Sequence, residues 1–158
     1  MPTVIDVPPT DPRVAALLDA QEAELTALYD GDPTQSEPFD PRTLAGEGSV
    51  LLAVQHGPEL IACGALRRWD AHTAEVKRMY TVPQARGQGR ARRVLNALIS
   101  RGRALGYARL VLETGDRQPD AIALYERAGF TRIPNFGYYA GIESSVCYEL
   151  PLVDERTA

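Results

Sequence analysis

The chain has 158 residues, enough for one domain to bury its own core without disulfides or metals. Hydrophobic residues make up 44% and charged residues 24%, close to the globular average, which excludes wholesale disorder. No stretch approaches the roughly 18 consecutive apolar residues of a membrane span. Two cysteines, Cys63 and Cys147, are too few and too far apart for a zinc site or a disulfide framework. Met1 to Asp11 holds three prolines, two aspartates and no basic residue, unlike a secretory leader. These features lead us to expect one soluble domain over 1–158, its core between about Val4 and Leu150, in a reduced cytoplasmic setting without a metal.

The net charge is -4, but it is unevenly spread. Residues 1–60 carry two basic and eleven acidic groups, 61–110 eleven and two, and 111–158 four and eight. A cationic middle in an acidic chain suits a small polyanion better than a long nucleic acid, which usually wants a basic total. A solvated arginine-rich helix face would give the same count.

In chain order, Val4 to Val7 reads as a short strand. Asp11 and Pro12 then open a helix with Val14, Leu17, Leu18, Gln21, Leu25 and Leu28 at helical spacing. Asp30-Gly31-Asp32-Pro33 ends it. A loop rich in Pro, Ser and Asp runs to about Pro41, before a short helix. Ser49–Gln55, Leu60–Arg67 and Thr73–Val82 follow as three strands with short turns, an antiparallel meander. Arg90–Leu105 reads as a helix with Ala91, Val94, Leu95, Leu98 and Leu105 on one stripe. Tyr107–Glu113 is a strand, parallel to the one before because a helix intervenes. Gln118–Ala128 is a helix stopped by Gly129, followed by a Phe130–Ile133 segment and a Ser144–Leu150 strand. The fold class is α/β: a mixed sheet, meander plus parallel βαβ, flanked by helices.

Between the third meander strand and its helix lies Val82-Pro83-Gln84-Ala85-Arg86-Gly87-Gln88-Gly89-Arg90-Ala91-Arg92. A strand entering a helix through glycines gathers unpaired N–H groups at the positive end of the helix dipole. Arginines in a first helical turn oppose that dipole, so an anion would account for them. The nucleotide-triphosphatase loop is excluded because no Gly-Lys-Ser/Thr is present. A Rossmann loop is excluded because Arg92 stands where a third small residue is required.

Arg86, Gly89 and Ala91 fit the pattern Arg/Gln-x-x-Gly-x-Gly/Ala, and Val76–Pro83 precedes them. This resembles the acetyl-CoA signature of the GCN5-related N-acetyltransferase (GNAT) superfamily. A second block agrees: Leu110 to Thr114, then Ala121-Ile122-Ala123-Leu124-Tyr125-Glu126-Arg127-Ala128-Gly129-Phe130. Gln118 stands where many relatives have asparagine, and keeps the amide. The resemblance implies a splayed sheet, with acetyl-CoA as co-substrate wedged between the strands ending at Val82 and Glu113. It puts the pyrophosphate on the amides of Gly87, Gln88, Gly89, Arg90, Ala91 and Arg92, with Arg86 and Gln118 nearby. The pantetheine arm would pair with the backbone of Tyr80, Thr81 and Val82. The activity implied is direct acetyl transfer to a primary amine of a small molecule or peptide. A non-catalytic acyl-CoA-binding module on the same fold is the alternative. No nucleic acid or membrane partner is expected, and a homodimer is left open.

Acetyl transfer to an amine needs a deprotonated nucleophile, an N–H donor for the developing oxyanion and a proton for the leaving thiolate. The Val82 amide is the family-like oxyanion donor, and Tyr125 the candidate acid. Spacing alone would place Tyr125 in a core stripe with Ala121, Leu124 and Ala128, and it is the match to the second block that favours the functional reading. Glu75 is the candidate base. Strict alternation would put Glu75, Lys77, Met79 and Thr81 on one face, and an ordinary ion pair of Glu75 with Lys77 or Arg78 is the competing reading. His72 is a weaker candidate for relaying a proton, and His56 reads as a turn residue. Cys63 and Cys147 fit buried strand positions. The uncharged aromatic stretch Asn135–Gly141 would either wall the acceptor pocket or pack on the sheet edge. The acidic residues Glu22, Glu24, Asp30, Asp32, Glu37 and Asp40 would either attract a cationic amine or be solvated.

Overall fold

The structure, a computed structural model, describes residues 1–32 and 40–152. Most of the expected loop before Pro41, including Glu37, lies outside the described residues. Seven strands form one sheet: β1 (Thr3–Asp6), β2 (Val50–His56), β3 (Glu59–Arg68), β4 (Thr73–Thr81), β5 (Arg109–Gly115), β6 (Thr131–Ile133) and β7 (Ser145–Pro151). Their spatial order is β1-β2-β3-β4-β5-β7-β6. Every pairing is antiparallel except β4 with β5, which α2 (Arg90–Ala104) connects by a crossover. The α/β mixed sheet expected from the pattern is therefore present.

α1 (Pro12–Leu28) begins as its sequence requires. The Asp11 carboxylate accepts the Arg13 amide at 2.9 Å, and Pro12 occupies the first turn, where its missing N–H is no loss. Val14, Leu17 and Leu18 pack on Leu51, Ala53, Cys63 and Ala65 on one face of the sheet. Leu52, Val54, Leu66 and Val76 face the other way and meet Val94, Leu95 and Leu98 of α2. α3 (Pro119–Arg127) contributes Tyr125 to this second core. Alternate residues of β2 thus feed two cores, which is why it reads as a nearly unbroken apolar run. Leu98 is fully buried, and truncating it to alanine should cost about 2–5 kcal/mol.

Two expectations need correction. Leu25 is only half-buried and Leu28 is exposed, although both continue the apolar stripe of α1. The helix overhangs a cleft there and has no sheet beneath it. The alternation of β4 also breaks. Cys63 pairs with Tyr80 and Ala65 with Lys77, so Gly64 alone opposes Arg78 and Met79. Arg78 has φ +56°, and the extra residue makes a β-bulge. Met79 consequently turns to the α2 face with Val76, while Lys77 and Arg78 both turn towards α1. Gly64 is required there: a Cβ would clash with Met79 Sδ and lie 2.7 Å from Val94 Cγ1.

Candidate active site

β4 and β5 pair only from Thr73 to Val76 against Arg109 to Leu112. Beyond these residues they diverge, and a cavity of about 870 Å³ opens between them. α1 overhangs it through Gln21, Leu25 and Tyr29, α3 contributes Tyr125, and the glycine turn forms one end.

Gly87 and Gly89 have φ of +76° and +75°, a conformation that disfavours any Cβ. A Cβ built on either meets nothing within 4 Å, so the turn's surface is open. No side chain caps α2, and its first helical bond runs from Arg93 N–H to the Gly89 carbonyl at 3.1 Å. The N–H groups of Arg90, Ala91 and Arg92 therefore lack intrahelical acceptors. Arg90 bonds Gln88 Oε1 at 3.1 Å. Arg86 is turned away from the N–H cluster: its guanidinium bonds both Glu24 oxygens at 2.8 Å and the Thr81 carbonyl at 2.9 Å, over the Tyr80 ring. Arg86 holds the Glu24 carboxyl below the usual range.

The acidic first third is thus neither a free patch nor simply solvated. Asp6 pairs with Arg101, Glu22 with Arg78 and Glu24 with Arg86, so it partly neutralises the cationic middle. Asp30 pairs with Arg117 after β5.

The Val82 amide, the expected oxyanion donor, already donates to the Ile61 carbonyl at 3.0 Å. Its carbonyl is also engaged, by the Ala85 amide. Antiparallel pairing alternates, so if Val82 bonds across to β3, Tyr80 does too and Thr81 points its backbone into the splay. Arg86 reaching the Thr81 carbonyl agrees with this parity. The Val82 backbone is thus committed within the protein, and Thr81 holds the open edge.

Tyr125 is 6% exposed and lines the cavity, its ring edge-on to Phe130 at 5.8 Å. Among the described residues its hydroxyl has no hydrogen-bond partner. Burial, helped by the charge of Glu113, pushes that hydroxyl well above the ordinary phenol range. Glu113 also borders the cavity and accepts from Ser145 Oγ at 2.7 Å. Gln118 sits at the start of α3, half-buried, its amide nitrogen against Gly115.

Glu75 is 1% exposed and does not border the cavity. Arg67 donates to it at 2.7 Å and the Tyr139 hydroxyl at 3.0 Å, while Lys77 lies at 3.7 Å and itself donates to that hydroxyl at 2.7 Å. This is the ion-pair reading, with Arg67 and Lys77 as partners and Arg78 going instead to Glu22. Tyr139 belongs to a 3₁₀ turn, Gly137–Gly141, and walls the cavity, while Phe136 packs edge-on to Trp69. His72 lies at the closed end of the sheet, where its carbonyl accepts the Ala108 amide, and His56 is exposed. Cys63 and Cys147 are buried free thiols, pushed by burial to about 12 and about 11. No group of His, Cys, Asp or Glu among the described residues could hold a metal, and no helix among them is long and apolar enough to cross a membrane.

The pattern of the acetyltransferase (GNAT) family matches residues 14–130. The chain belongs to that family. This N-acetyltransferase is 34% identical over 152 residues to the IAA acetyltransferase of Azospirillum brasilense, covering 95% of this chain and 97% of the relative. It is also 34% identical to a solved Klebsiella pneumoniae protein described as an acyl-CoA N-acyltransferase, with a TM-score of 0.80 over 97% of this chain and 99% of that one. A Salmonella typhimurium acetyltransferase solved with acetyl-CoA shares the fold, with a TM-score of 0.70 and 17% identity, over 98% of this chain and 96% of that one.

Among the groups around the cleft, Gln21 and Glu113 have no site role in the sequence reading. Gln21 hides in an apolar stripe and Glu113 at a strand end. Tyr139 was legible only as one ring in an aromatic loop.

Proposed function

We propose that this enzyme transfers an acetyl group from acetyl-CoA directly to a primary amine. The observation that carries the reading is the open glycine turn: unpaired helix-terminal amides and two left-handed glycines at one end of a cavity that extends to Tyr125. A polyanion fits there because N–H donors and dipole point outward and no Cβ intervenes. The Salmonella acetyltransferase of the same fold, solved with acetyl-CoA, supports acetyl-CoA as the ligand.

In this reading the amides of Gly87 to Arg92 hold the pyrophosphate. Thr81 offers its outward amide N–H to the pantetheine arm, its carbonyl being held by Arg86, with Gln118 alongside. Holding both reactants in one cleft supplies much of the acceleration. As the amine nitrogen bonds to the thioester carbon and the C–S bond breaks, Tyr125 donates its proton to the departing sulfur and is reprotonated from solvent. The amine gives its proton to water in the cleft. Glu75 acts through others: it positions Lys77 and Tyr139 on the cavity wall. The two buried free thiols accord with a cytoplasmic home.

Thiol release from acetyl-CoA across an amine panel tests this. Amine-dependent release supports it. CoA binding with no release for any amine would overturn it in favour of a binding module.

A further inference from the structure

Gln21 is 9% exposed, projects from α1 and lines the cavity. Its Nε2 donates to the Met79 carbonyl at 3.0 Å, at the outer edge of β4 next to the bulge. That bond fixes which way the amide faces, because only the nitrogen can donate to a carbonyl. The other end, Oε1, is buried and accepts nothing among the described residues. A second polar atom on a residue that lines the same cavity, Thr81 Oγ1, is also buried and without a partner. A buried carboxamide oxygen without a donor is uncommon in a folded protein, since its lost hydration is not replaced. Two such atoms on residues that line one cavity, beside a strand edge whose Thr81 amide faces outward, form a polar seam along β4.

Gln21 Oε1 can only accept, so the missing group is a donor, an N–H or an O–H. Three donors could reach it: water, an amide of an extended arm lying along β4, or the acceptor amine. The position at the strand edge favours the arm. A chain laid there as an added strand presents amide groups at strand-like intervals, whereas a single amine would satisfy one atom and leave the seam unused. We infer that Gln21 is a binding residue for the pantetheine arm, its Oε1 accepting an amide N–H while its Nε2 stays on Met79. This rests on the reading of the cleft as a CoA site. Gln21 would then couple α1 to the occupied state of the cleft.

The test uses Gln21→Met, which keeps side-chain length and removes both polar atoms, with folding verified by circular dichroism. Gln21→Leu is the second variant should Met pack poorly. Calorimetry with CoA is compared with adenosine 3′,5′-bisphosphate, which carries the nucleotide end of CoA without the arm. Loss of one neutral hydrogen bond predicts CoA binding weaker by about three- to tenfold, with the bisphosphate unchanged. Unchanged CoA affinity would overturn the inference and leave water or the acceptor amine as the donor to Oε1. Equal weakening of both ligands would also overturn it, reducing Gln21 to a brace between α1 and β4. Wild-type protein that takes no CoA would instead overturn the parent reading, and this one with it.

Discussion

Tyr125→Phe separates chemistry from packing more cleanly than any other substitution in the cleft. Phenylalanine keeps the ring that fills the core at 6% exposure and its edge-on contact with Phe130. A tyrosine hydroxyl that served the fold would have a buried partner, and removing it would cost about 1 kcal/mol. This one has none among the described residues, so the expected change in stability is near zero. Burial and Glu113 raise its ionisation above the ordinary phenol range, so the proton is present throughout any practical assay range. The departing thiolate, conjugate to a thiol of pKa about 8.5, is a weaker base than this phenolate. The transfer is therefore uphill and is drawn forward by reprotonation of the tyrosine from solvent. Loss of a general acid lowers rates by about 10²–10⁴-fold, and the lower end corresponds to about 2.7 kcal/mol of barrier. The same raised ionisation has a stability consequence. The neutral hydroxyl favours the fold below about pH 10, and this advantage is lost as pH rises and the unfolded phenol ionises. The variant should therefore lose less stability above pH 10. The assay is thiol release with a melting curve on the same preparation. A fall in melting temperature of several degrees, with turnover within threefold of wild type, would refute the reasoning.

Gly89→Val should abolish CoA binding in calorimetry at a cost of only about 1–2 kcal/mol in stability, because its φ is left-handed but its surroundings are open. Glu75→Gln breaks a buried pair with Arg67 and Lys77, so melting should drop by roughly 6–12 °C, equivalent to about 3 kcal/mol. The pH–rate profile should keep its shape; loss of its alkaline rise would restore Glu75 as the base. Cys63 and Cys147, raised to about 12 and about 11, should react with a thiol reagent at pH 8 only after denaturation. Rapid labelling of the native protein would contradict their burial.

The elements were legible wherever periodicity and punctuation agreed. Asp11-Pro12 marked the start of α1 and Gly106 followed the end of α2, and each strand boundary fell within about two residues of its expected place. The bulge at Arg78 was not legible, because an arginine in a left-handed conformation leaves no local signal; Gly64, its partner across the ladder, was the available hint. That one residue changed the face of Met79 and brought Lys77 and Arg78 to the same side. The partner of the Val82 amide was not legible for a related reason: which amides of a strand face a cleft depends on register, and register depends on the neighbouring strand. Gln21 was recorded as one more position in an apolar stripe. Spacing places a residue on a face but does not report whether both ends of its amide are satisfied.

α1 touches both lips of the splay. Glu24 grips Arg86 on the β4 side, and four to six residues later the Leu28 carbonyl and Asp30 hold Arg117 on the β5 side. The helix therefore acts as a gauge for the width of the opening, with its reach set by a rise of about 1.5 Å per residue. Substitutions on its outer face would leave that span alone. Inserting one residue between Glu24 and Leu28 would rotate one grip by about 100° relative to the other, so that both lips could not be held together. In any lineage of this chain, length changes should collect in exposed turns such as Gly57-Pro58 and be purged from this part of α1.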